Sequence, residues 1–146
     1  MQERVSSVQD PKYWAEGMTI IEPMKLFNIM MKVNSDRYPA VSDANYLLLL
    51  DARRRETYDQ SHIVLAKFST RTAGQYELPY DSQVETKKNI VVYDDMTEIL
   101  RFDNGRSIKT DATRLAKVLY TEGARCAISI LRGKFPLYIF HLVRGH

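Results

Sequence analysis

Two short apolar runs that end in acid constrain this chain most. "YLLLLDAR" (46–53) is a run of leucines closed by Asp51, and "NIVVY" (89–93) is a β-branched run followed by Asp94. Neither alternates apolar with polar residues. A strand with one wet face alternates, whereas a strand covered on both faces does not. Two such runs predict the central strands of an α/β fold, a parallel sheet with helices on both faces. The ends of such strands are where open α/β sheets place their sites.

The other segments fit around that sheet. "EPMKLFNIMMKV" (22–33) predicts a helix, with Pro23 at a first helical position and Leu26, Ile29, Met30 and Val33 at helical spacing. "TDATRLAKVLYTEG" (110–123) predicts another, capped by Thr110 or Asp111 and stopped at Gly123. A short helix is expected within "RETYDQSHI" (55–63), and further strands at "IVLAKFST" (63–70) and "ARCAISIL" (124–131). Residues 72–88 and 94–109 read as polar connections, the second with a turn at Asn104-Gly105. Residues 1–17 read as a flexible leader and 18–146 as one domain.

Composition excludes several classes. A chain of 146 residues, 45% hydrophobic and 27% charged, carries enough apolar residues for one core. A net charge of +3 gives no ground for a nucleic-acid partner. The single cysteine, Cys126, rules out an internal disulfide and a zinc site built on thiolates. No stretch has the length of a membrane span, and the first residues lack a signal peptide's apolar core. The expected compartment is the cytoplasm, with the mitochondrion as the alternative. No cofactor and no metal is expected. His62 has no second His at ligand spacing, and Asp94, Asp95 and Glu98 are too few for a magnesium or calcium site.

"LLLLDARRRETYDQSHI" resembles the rhodanese-like domain. The pattern is a buried strand ending in Asp-x-Arg, then Glu and an aromatic, then Ser-His-Ile; here it falls on Asp51, Arg53, Glu56, Tyr58, His62 and Ile63. "VVYD" and "AISILRGKF" resemble later parts of the same fold, so the likeness spans residues 18–142. Active members carry Cys directly after the "VVY" strand, at the head of a short loop that ends in Arg. Here that place holds Asp94, and Ile99 stands where the Arg would be. The "VVYD" ending resembles the regulatory domain of MAP kinase phosphatases. Together with "QYELPYDS" it is most similar to the serine/threonine/tyrosine-interacting-like pseudophosphatases. The resemblance implies a catalytically dead, protein-binding regulatory module. Its implied partners are a phosphatase, a stress-granule protein or a MAP kinase. It also implies a phosphatase-like domain, which the chain, ending at His146, does not include; a fragment or a short isoform is expected.

Site roles follow from these readings. Asp51 and Arg53 are expected to pair and tie the strand end to its loop, with Glu56 and His62 in structural roles. The loop Asp94, Asp95, Glu98, Ile99 is expected to be degenerate. Its helix N-terminus is expected to be displaced by the long stretch before Thr110. Arg53, Arg54 and Arg55, with Arg71 further on, are the expected contacts to an acidic partner. MAP kinase docking is the first alternative function. An active sulfurtransferase or phosphatase using Cys126 is the second, although a thiol inside a buried strand is expected to be inert.

Overall fold

In a computed structural model the chain is described at residues 17–33, 45–79, 82–94, 96–97, 102–103, 106–107, 110–133 and 143–145. The expected leader, apart from Gly17, lies outside these residues. Five strands form one sheet: β1 (Met18–Ile21), β2 (Leu47–Asp51), β4 (Lys67–Phe68), β7 (Asn89–Tyr93) and β10 (Ile128–Leu131). Their order is β1-β10-β7-β2-β4, and every neighbouring pair is parallel. The fold class is therefore α/β. The two runs that opened the sequence reading are adjacent strands, with Leu48 opposite Ile90 and Leu50 opposite Val92.

Strict register places alternate residues on opposite faces. Leu48, Leu50, Ile90, Val92, Ile128 and Ile130 line one face, against Ala112, Leu115, Ala116 and Leu119 of α3 (Asp111–Thr121). Leu49, Val91, Tyr93 and Leu131 line the other, against Leu26 and Met30 of α1 (Pro23–Val33). The helices thus cover both faces, as the unbroken apolar runs require. Truncating a side chain as buried as Leu119 to Ala costs about 2–5 kcal/mol.

Helix limits follow local chemistry. Pro23 is the first residue of α1. Thr110 caps α3: its hydroxyl accepts the Thr113 N–H while the Thr113 hydroxyl accepts the Thr110 N–H. Gly123 ends that helix at φ +104, a conformation that favours glycine. No helix among the described residues is long and apolar enough to cross a membrane.

Three sequence expectations need correction. The strand expected over 63–70 is broken. Ile63 closes β3 (Ser61–Ile63), Leu65 turns at φ +76, and only Lys67–Phe68 join the sheet. The connection expected at 72–88 contains a hairpin of β5 (Thr70–Thr72) and β6 (Gln75–Glu77). Ala73 and Gly74, both at positive φ, make its two-residue turn, which matches the twist of the strands. The run expected as one strand over 124–131 enters the sheet only at Ile128, so Cys126 lies before β10 rather than inside it. The strand β1 had no counterpart in the sequence reading. Asn104-Gly105 lies outside the described residues, although the flanking β8 (Phe102–Asp103) and β9 (Arg106–Ser107) pair antiparallel. The last strand, β11 (Val143–Gly145), pairs antiparallel with β3.

Candidate functional site

The carboxyl ends of β2 and β7 lie side by side, with Asp51 opposite Tyr93 in the register. Each end carries a buried aspartate, and each aspartate is satisfied differently.

Asp51 is fully buried and meets Arg53, itself only 6% exposed. The Arg53 Nη2 donates to Oδ2 at 2.7 Å, Nε reaches both oxygens at 3.0 and 3.1 Å, and the Arg53 backbone N–H donates to Oδ1 at 2.8 Å. Nη2 also donates to the Ser61 carbonyl at 2.7 Å. The guanidinium sits 5.3 Å from the centroid of the Tyr93 ring. This fork ties the end of β2 to the start of β3, as expected. It also removes Arg53 from the surface, so the expectation that Arg53 contacts a partner is corrected.

Asp94, 3% exposed, is held by neutral donors among the described residues. Oδ1 accepts the N–H groups of Met96 at 2.9 Å and Thr97 at 3.0 Å. Oδ2 accepts the Ala112 N–H at 2.9 Å, from the first turn of α3. The Thr97 hydroxyl lies within 3.0 Å of both oxygens and 2.9 Å from the Thr110 hydroxyl. The helix N-terminus is therefore not displaced from the end of β7. It meets a carboxylate there, in the place where helix dipoles favour negative charge. Nothing in the spacing of residues 94–110 signalled this contact. Asp95, Glu98 and Ile99, expected in the degenerate loop, lie outside the described residues.

Tyr93 sits between the two corners. Its hydroxyl accepts the Ile63 N–H at 3.1 Å, and burial, reinforced by the Asp51 charge, pushes its pKa well above the ordinary value. Tyr76 donates to the Ala52 carbonyl at 2.6 Å, and burial raises its pKa strongly as well. Sequence reading missed both tyrosines as organisers of the strand ends; the signal available for Tyr93 was an aromatic at the close of an apolar run, and Tyr76, within the polar segment "AGQYE", had none.

His62 stacks on Tyr58 at 3.8 Å, nearly parallel, with Nδ1 2.9 Å from the Tyr58 carbonyl. That is the structural role expected. Glu56 is instead exposed in the first turn of α2 (Arg55–Gln60), where an acid complements the helix dipole.

Beside these corners an open depression of about 700 Å³ is lined by Arg53, Arg54, Arg55, Glu56, Phe68, Thr70, Arg71 and Asp111. Arg54, Arg55 and Arg71 are exposed. The fold thus brings Arg71, on β5, to the arginines that precede and open α2. Arg55 lies over the Phe68 ring at 5.0 Å and Arg71 over the Tyr76 ring at 5.0 Å.

Cys126 is half-buried, and burial raises its pKa, only partly offset by backbone donors, its own and that of Ile90. Ile90 is the second residue of β7, so the thiol lies at the amino ends of the strands while Asp94 lies at the carboxyl ends. Among the described residues no group of three His, Cys, Asp or Glu side chains is placed to hold a metal ion. No protein-family model and no curated protein matches the chain.

Proposed function

We propose that this chain is a catalytically inactive rhodanese-like domain of the pseudophosphatase type, acting as a protein-binding regulatory module. The observation that carries this reading is the Asp94 carboxylate at the end of the central strand. It occupies the donors of the loop and of α3 that a reactive thiolate or a substrate anion needs. A carboxylate cannot carry a persulfide. The all-parallel sheet with helices on both faces agrees with that family's fold. Cys126 is a poor substitute nucleophile: its thiol is held in the protonated form and lies at the opposite end of the sheet.

The partners on this reading are proteins, a phosphatase or a stress-granule protein, met in the cytoplasm or the mitochondrion. A MAP kinase is the second reading, favoured by the gathering of Arg54, Arg55 and Arg71 around one depression. Two measurements test the proposal. Thiosulfate:cyanide sulfurtransferase and phosphatase assays on pure protein are expected to give no turnover above buffer; turnover that disappears in Cys126→Ser overturns the reading. An affinity pull-down read by mass spectrometry, repeated with Arg54 and Arg55 changed to Glu, identifies the partner class.

A further inference from the structure

We infer that the depression around Arg54, Arg55 and Arg71 is a docking site for a phosphorylated side chain on a partner protein. The inference rests on the binding-module reading and adds the chemistry that the module recognises.

The arginines that line the depression differ in how firmly they are engaged. Arg53 is committed to Asp51 by a buried fork. Arg55 meets Asp59 at 3.4 Å, with both side chains more than half exposed. Arg71 meets Asp111 at 3.4 Å, with both about one third exposed. Long, wet pairs of this kind contribute little and give way to a better acceptor. Arg54 has no ion pair among the described residues, and its side chain makes no capping bond to α2.

The rings hold two of these guanidinium groups in place. Arg55 over Phe68 and Arg71 over Tyr76 leave the edges of the forks, where the N–H donors are, available to a ligand. Thr70, exposed between them, adds a hydroxyl.

The number of loosely engaged cations selects the ligand. A carboxylate brings one charge and is satisfied by one fork. A phosphate monoester brings a charge near −2 and three free oxygens, enough for several forks at once. The acids in the lining, Glu56 and Asp111, oppose any anion, and a dianion that engages all three arginines overcomes them better than a single carboxylate. The depression is open on its outer side, unlike the enclosed cavities that bury small ligands. An open basic hollow fits a group presented on another chain.

The test uses the whole 146-residue chain and a Gly-Ser peptide carrying one phosphoserine. Controls are the unmodified peptide, its Glu counterpart and inorganic phosphate. Heteronuclear NMR is expected to show saturable shifts at Phe68, Thr70 and Arg71 with the phosphopeptide, weaker shifts with inorganic phosphate and none with the unmodified peptide. Arg54→Ala and Arg71→Ala are each expected to weaken binding about tenfold. Asp111→Asn, which frees Arg71 and removes a repelling charge, is expected to tighten it. All three variants change exposed or partly exposed side chains, and thermal melts establish that they fold. Equal affinity for the Glu peptide overturns the phosphate assignment in favour of an acidic partner surface. Shifts spread over basic residues outside the depression, or no shift at all, overturn the site. Neither outcome touches the inactive-module reading, which is decided by turnover and pull-down.

Discussion

Asp51 and Asp94 end neighbouring strands, both are buried, and they are stabilised in opposite ways. Asp51 is neutralised by a full charge, through a fork to Arg53. Asp94 is stabilised by dipoles, from two loop amides, one hydroxyl and one helix amide. A buried ion pair fails badly when one member is removed, because the survivor is left charged and dry. A carboxylate held by neutral donors leaves behind unpaired N–H groups, each of them individually cheaper. The two corners should therefore differ in how they break.

The largest effect is expected at the first corner. Arg53→Met leaves Asp51 buried without its cation and should cost about 3–5 kcal/mol, read by chemical denaturation. The double variant Arg53→Met, Asp51→Leu should recover much of that loss; if it does not, the fork matters through its link to Ser61 rather than through charge.

Asp94→Ala comes next, at about 1–3 kcal/mol, since the Met96, Thr97 and Ala112 N–H groups lose their acceptor. Asp94→Cys should fold and remain without sulfurtransferase activity. A loss at Asp94 equal to that at Arg53 would erase the distinction between the corners.

Tyr93 reports on the wall between them. Its hydroxyl and that of Tyr76 are held protonated by burial, with pKa values above the ordinary 10.0. A group whose folded pKa is raised stabilises the fold fully below its unfolded pKa, and that contribution is lost as pH rises past it. Stability should thus be insensitive to these tyrosines below pH 10 and fall above it. Ultraviolet titration is expected to show two tyrosines that ionise only with unfolding; smooth ionisation in the native state would mean that the wall is wet.

The smallest effect belongs to Ser69. Its hydroxyl is buried and has no hydrogen-bond partner among the described residues, next to the strand that flanks Asp51. Ser69→Ala removes an unsatisfied group and should leave the melting temperature unchanged or slightly raised. A clear drop would reveal a role for that hydroxyl at the first corner.

The contrast also explains which parts of the molecule were legible in the sequence. β2, β7, α1 and α3 were readable because burial on two faces or one writes itself into apolar spacing over many residues. The Asp51–Arg53 fork was readable because its partners are two positions apart. The Asp94 cradle was not, since the Ala112 amide comes from 18 residues away and amides carry no sequence signature. The hairpin at Ala73-Gly74 was hidden because Ala adopts its positive φ with no letter to announce it. β1 was hidden because four residues, "MTII", are too few for a periodicity. Arg71 joined Arg54 and Arg55 only through the sheet, and that neighbourhood has no one-dimensional trace.

One consequence of the strand order concerns how the fold is reached. β1 hydrogen-bonds only to β10 within the sheet, and the ion pair beside it, Glu22 to Arg132, joins residues 110 positions apart. Closing so long a loop is entropically slow, and folds dominated by distant contacts form slowly. β1 must wait for β10, whose paired residues follow it by 110 positions. Until β10 exists, the β-branched edge of β7 is bare, and in that interval the chain is most open to a wrong neighbour, including a second copy of itself.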